Sequence, residues 1–151
     1  MLWPLPKNVL TQTGLCRHLA LVTEEKEKVK NARSRLFPSL PSPVRSPTVP
    51  LTEYTGSYWH PGYGTVTIYL DESTRKLRAD REDVSWPEHF TFEHVSGDYF
   101  LITSQHVGDF GALYPTMYKA VFRVGENGKP AELGLDWEKE MKADMIWLTR
   151  K

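Results

Sequence analysis

Four histidines, His60, His89, His94 and His106, and two groups of carboxylates are the residues whose chemistry could go beyond packing. A metal site needs its ligands brought to one point, for instance two histidines four apart on one helix face. His89 and His94 instead lie an odd number of positions apart in one strand-like run, so they point to opposite faces. Scattered histidines of this kind predict no metal. The carboxylates Glu82, Asp83, Glu88 and Glu93 fall in or beside one charged loop, and Glu138, Glu140 and Asp144 flank another turn. A solvated surface accounts for both groups, since no apolar setting is visible that would raise a carboxyl pKa for general-acid work. His60 stands apart because it lies within Tyr58-Trp59-His60-Pro61-Gly62-Tyr63-Gly64. Its ring could bind a ligand or hydrogen-bond to a neighbouring strand. The glycines beside it are not a phosphate loop, having no helix start after them and no lysine placed to meet a phosphate.

Composition narrows the partners. In 151 residues, 19 basic and 19 acidic side chains cancel, so no net field would attract nucleic acid or anionic lipid. The rings of Tyr54, Tyr58, Trp59 and Tyr63 lack interleaved basic residues, and core packing explains them better than base stacking. The lone Cys16 excludes an internal disulfide and a cysteine-built metal site. Met1 to Leu10 has prolines and a lysine where a secretion signal would have an apolar core. Leu19 to Val22 is too short to span a bilayer, so the expectation is a soluble, cytoplasmic protein without membrane contact.

The elements that must position these residues divide the chain into four. Residues 1–22 carry no assignable pattern. Residues 23–37 read as one amphipathic helix, capped by Thr23, with Val29, Ala32, Arg33 and Leu36 on roughly one face. Its stripe is thin, and it needs a surface to lie on. Residues 38–50 hold Pro38, Pro41, Pro43, Pro47 and Pro50, a semi-rigid linker. Residues 51–151 read as strands: Tyr54 to Trp59, Tyr63 to Leu70, Lys76 to Asp80, His89 to Val95, Tyr99 to Gln105, Met117 to Val124, Ala131 to Trp137 and Met145 to Thr149. Val66, Ile68 and Leu70 alternate with Thr65, Thr67 and Tyr69, and Asn127-Gly128 is a strong hairpin signal. Short connections throughout favour a closed up-and-down barrel over a sandwich.

The run Glu53-Tyr-Thr-Gly-Ser-Tyr-Trp-His-Pro-Gly-Tyr-Gly64 resembles the opening of the C-terminal domain appended to serine β-lactamase-like and penicillin-binding-protein-like hydrolases. The fungal branch of the S12-type peptidases is the nearer match. Glu93 to Phe100, Ala120 to Gly128 and Gly134 to Met141 continue the resemblance in order, and Lys26 to Pro50 resembles the tail of the catalytic domain with its connection. The resemblance covers about residues 24–151. It implies a lipocalin-like eight-stranded antiparallel barrel, in agreement with the strand reading. It also implies that catalysis belongs to another domain, through Ser-x-x-Lys, Tyr-x-Asn or Ser-x-Asn, and Lys-Thr-Gly or His-x-Gly motifs. This chain holds Ser73-Thr-Arg-Lys76 and His60-Pro-Gly62, but Ser73 falls in an expected turn, the order is reversed, and the Tyr-x-Asn or Ser-x-Asn motif is missing.

The functional expectation is therefore a non-catalytic accessory module without a cofactor. Its expected partner is a β-lactamase-like catalytic domain, or a second copy of itself. It would be a truncated relative, an incomplete gene product or a free-standing module. A different reading is a barrel that binds a small apolar ligand, lined by Trp59, His60, Tyr63, Phe90, Phe92, Tyr118, Phe122 and Trp137, although core packing accounts for these rings too. A stand-alone serine hydrolase is the third reading, and the missing motif argues against it.

Overall fold

Alternating apolar and polar side chains fold into eight antiparallel strands among the described residues of the computed structural model. It describes residues 23–24, 27–28, 30–40, 42–82, 84–108, 115–138, 140 and 144–151. Residues 1–22, with Cys16, and the expected positions Val29 and Asp83 lie outside them. The strands are β1 (Gly56–His60), β2 (Gly64–Asp71), β3 (Lys76–Arg81), β4 (Glu88–Ser96), β5 (Tyr99–His106), β6 (Thr116–Val124), β7 (Pro130–Leu135) and β8 (Ile146–Arg150). Each pairs with the next in sequence, and β8 returns to β1 through Tyr58–Arg150 and Trp59–Thr149, so the barrel closes. Closure leaves no strand edge unpaired, which removes the template for edge-to-edge aggregation.

Inward positions follow the period of two: Val66 and Ile68, Leu77 and Ala79, Phe90 and Phe92, Phe100 and Ile102, Ala120 and Phe122, Leu133 and Leu135, Ile146 and Leu148 are all buried. One half of the interior is a packed aromatic core. Tyr54 stands 4.8 Å from Phe122 and 5.4 Å from Phe100, ring centre to ring centre, in the tilted and edge-on geometries that aromatic pairs prefer.

Tyr54, expected to open the first strand, lies instead in a 3-10 turn, Leu51–Tyr54, which plugs this end of the barrel. Pro50 fixes the entry, and Gly56 at φ +134° gives a backbone conformation that side chains avoid, so β1 begins only there. Arg150 holds the plug by donating to the carbonyls of Glu53 (3.1 Å), Thr55 (2.7 Å) and Pro130 (3.0 Å). At the other end Trp137 falls outside β7. The strand stops because the Asp136 carboxylate takes the Lys119 amide at 2.6 Å in place of a ladder carbonyl.

The expected helix is present, with residues 30–36 helical and Ala32 buried. The surface it needs is the outside of β4, β5 and β6, where Val95 and Leu101 are buried under Phe37, with Leu36 and Met117 beside them. Arg33 pairs with Glu93 at 3.5 Å. The proline-rich stretch runs on as a docked strap. The Arg45 amide donates to Ser96 Oγ (3.1 Å), its carbonyl accepts from Gly97 (2.9 Å), and Thr48 Oγ1 donates to Asp98 (2.7 Å). Among the described residues no helix is long and apolar enough to cross a membrane.

Candidate functional site

Polar groups collect at the end of the barrel remote from the plug, where the β1–β2 turn meets the β3–β4 connection. Arg81 is the centre. It continues the inward phase of Leu77 and Ala79 to the last residue of β3, so its side chain enters the barrel, and the residue is only 9% exposed. One terminal nitrogen donates to the Tyr63 carbonyl at 2.6 Å, and the other pairs with Glu88 Oε2 at 3.5 Å. The guanidinium carbon lies 4.8 Å from the centre of the Trp137 ring, a cation–π contact. Its Nε is buried without a partner among the described residues. An unmatched buried donor costs about 1–3 kcal/mol, so this nitrogen is a place where an acceptor would be welcome.

The neighbours extend the network. Glu88 also faces His106 Nδ1 at 3.6 Å. The Tyr63 hydroxyl donates to Glu138 Oε1 at 2.7 Å, and that bond, with some burial, raises the Tyr63 pKa. Burial, then the negative charge of Glu88, raises the pKa of Tyr118. The Tyr63 ring lies 5.2 Å from Trp137 and 5.3 Å from His60, and Phe90 lies 6.1 Å from Trp137. The assembly is a network of hydrogen-bonding groups and ring faces packed on one another. It offers binding groups rather than an activated nucleophile.

Five of the eight rings named from the sequence, His60, Tyr63, Phe90, Tyr118 and Trp137, gather at this end. Phe92 and Phe122 belong to the packed core around Tyr54 and Phe100. Trp59 does not line the interior. It alternates with the buried Tyr58, so its ring lies on the outer wall, 4.9 Å from Lys151 Nζ. His60 Nδ1 accepts from the Gly62 amide at 3.0 Å, which shapes the turn.

The solvated-surface expectation fails for Glu88, whose side chain is 13% exposed because the register places it directly opposite Arg81. It fails in part for Glu138, which is tied to Tyr63. Arg81 itself was missed because the expected strand stopped at Asp80. The period-two phase, carried one residue further, points it inward. The other histidines are spoken for: His89 Nδ1 meets Asp80 at 2.6 Å and His94 Nε2 meets the Gly97 carbonyl at 2.9 Å. Among the described residues no three metal-ligating side chains converge.

Ser73 occupies the exposed β2–β3 turn, where its hydroxyl donates to Asp71 Oδ1 at 2.6 Å. That bond, with help from Arg78 and the turn amide, holds the Asp71 carboxyl down at about 2. Lys76 opens β3 as an exposed residue.

The chain is 41% identical over 131 residues to Unguisins hydrolase ungD' of Aspergillus campestris (strain IBT 28561), covering 87% of this chain and 24% of that protein. It is 38% identical over 124 residues to Unguisins hydrolase ungD of Aspergillus violaceofuscus (strain CBS 115571), covering 80% of this chain and 21% of that protein. It therefore spans less than a quarter of the length of these curated relatives, and corresponds to a C-terminal portion of hydrolase-like proteins. The crystal structure of the C-terminal domain of penicillin binding protein Rv0907 has the same fold, with a TM-score of 0.51 at 23% identity, covering 74% of this chain and 94% of that one. Over residues 40–150 the chain matches the Domain of unknown function (DUF3471), a known C-terminal domain of β-lactamase-like proteins, and it belongs to that family.

Proposed function

We propose that the chain is a non-catalytic accessory module that holds a β-lactamase-like catalytic domain in a fixed orientation. The observation that carries this reading is the fastening of the helix and strap to the barrel. Phe37 buried against Val95 and Leu101, the Arg33–Glu93 pair and the bonds at Ser96, Gly97 and Asp98 fasten the approach to the barrel against its outer wall. A domain joined ahead of residue 30 would inherit that fixed direction. Ser73 supports the non-catalytic half of the reading. A serine nucleophile needs a base to take its proton, and a carboxylate with a pKa of about 2 is a poor one.

The test mixes the purified chain with the remaining part of one of the Aspergillus relatives at about 10 μM. A one-to-one complex in light scattering is expected, with no nitrocefin turnover and no labelling of the chain alone by a fluorophosphonate. Free components at that concentration, or a label on Ser73, would refute the proposal.

A second reading has its own observation. The unmatched Arg81 Nε among Tyr63, Phe90 and Trp137 favours a small apolar ligand with one acceptor at that end of the barrel. Quenching of Trp137 by such a ligand, lost in Arg81→Met, is the expected sign; quenching that survives the substitution argues against it.

A further inference from the structure

A second concavity lies on the outer wall, apart from the Arg81 cluster. The end of the helix, the strap, the β4–β5 hairpin and β6 line a half-open groove of about 610 Å3. That is within the range of about 300–1,000 Å3 in which small-molecule sites fall. Phe37, Leu40, Tyr99 and Val121 form the apolar part of a mixed lining that Ser39, Ser46 and Thr48 share. Two cations line it as well, Arg45 and Lys119. Lys119 Nζ sits 5.3 Å from the ring centre of Phe37 and 5.5 Å from that of Tyr99, a cation held between two aromatic rings. Neither cation has a carboxylate partner among the described residues.

Asp98 is the acidic residue of the lining, and it is already engaged. It accepts from the Thr48 amide at 3.3 Å, from Thr48 Oγ1 at 2.7 Å and from the Tyr54 hydroxyl. Those donors are neutral and leave Asp98 its charge, so the groove, lined by the exposed Arg45 and the half-buried Lys119, carries two positive charges against one negative, and an entering carboxylate gains from the excess.

We propose that this groove binds a small amphiphilic carboxylic acid, with the carboxylate at Arg45 and Lys119 and the apolar body against Phe37, Leu40, Tyr99 and Val121. The volume of the groove suits one such molecule. Because the strap forms one wall, the bound acid would also tie residues 45–48 to β6.

The test is an amide NMR titration of the whole chain with N-acetyl-phenylalanine, decanoate and the neutral N-acetyl-phenylalaninamide. Saturable shifts at Gly97, Tyr99 and Lys119 are expected for the two acids, with the amide about tenfold weaker. Arg45→Met and Lys119→Met keep the apolar stem and should each weaken the acids about fivefold while leaving the remaining spectrum unchanged. No saturation by about 10 mM, equal binding of the amide, or shifts at Tyr63 and Trp137 in place of the groove would overturn the proposal. Tighter binding of an acidic dodecapeptide than of either acid would overturn it too, by assigning the groove to a protein partner.

Discussion

The six-membered ring of Trp147 covers Gly134 on the neighbouring strand so closely that a Cβ there would stand 2.8 Å from two of its carbons. The two residues are directly paired across β7 and β8 on the outer wall. The guanidinium carbon of Arg123 lies 3.4 Å from the centre of the Trp147 ring, and Arg123 is held by Glu132 at 3.2 Å. Gly134 is a seat for an indole, with no turn to make.

That gives a diagnostic sign. Glycine to alanine inside a strand ordinarily stabilises by about 0.5–1 kcal/mol. Gly134→Ala should instead destabilise, by about 1–3 kcal/mol, as the added methyl forces the ring away. Urea unfolding measures it, and Trp147→Leu in the Gly134→Ala background should recover most of the loss. A variant as stable as the native chain would mean that the ring is free to move.

Arg150 supplies the second prediction. Its guanidinium ties three carbonyls of two otherwise separate segments, the 3-10 plug and the start of β7. Arg150→Met should cost about 2–4 kcal/mol, since three partly buried carbonyls lose a charged donor. Arg150→Lys should recover little, because a point charge on a flexible stem does not reproduce the planar fork. Hydrogen exchange at the Thr55 amide, which bonds to the Thr52 carbonyl at 3.4 Å, reports the loosening of the plug directly.

The barrel was legible in the sequence because its cause is local. Val66, Ile68 and Leu70 declare a strand by alternation, and Asn127-Gly128 declares its hairpin by the positive φ that Gly128 adopts. The candidate site was half legible. Rings such as Tyr63 and Trp137 announce themselves, whereas Arg81 and Glu88 look like members of a charged loop until the β3–β4 register sets them opposite each other. The docked strap was not legible. Arg45 and Ser96 lie 51 residues apart, and proline content speaks of local stiffness without naming the surface that stiffness is pressed against.

The third prediction separates breaking the Arg81–Glu88 pair from replacing it. Glu88→Gln leaves the guanidinium of a buried arginine without its counter-charge, and should destabilise by about 3 kcal/mol. Arg81→Met with Glu88→Leu removes both charges and should lie within about 1 kcal/mol of the native chain, because desolvation had offset most of the attraction. Equal losses in the two proteins would show that the pair contributes net stability.

The fourth concerns alkaline pH. Burial, the main cause, pushes the Tyr58 hydroxyl up to about 12, with the Arg150 charge pulling the other way. Burial and then the bond to Asp98 raise Tyr54 further still. An unfolded tyrosine ionises near pH 10. Between pH 10 and the folded value the native state retains a proton that the unfolded state has lost, so stability falls as pH rises. The slope should be about 1.4 kcal/mol per pH unit for each such tyrosine, and stability should be flat with respect to these groups below pH 9. Tyr58→Phe removes one contribution along with the 3.0 Å bond to the Tyr54 carbonyl. It should therefore be less stable by about 1 kcal/mol at pH 7, yet lose less stability than the native chain from pH 10 to 12. Urea midpoints at both pH values test this, and parallel losses would place the Tyr58 ionisation at its ordinary value.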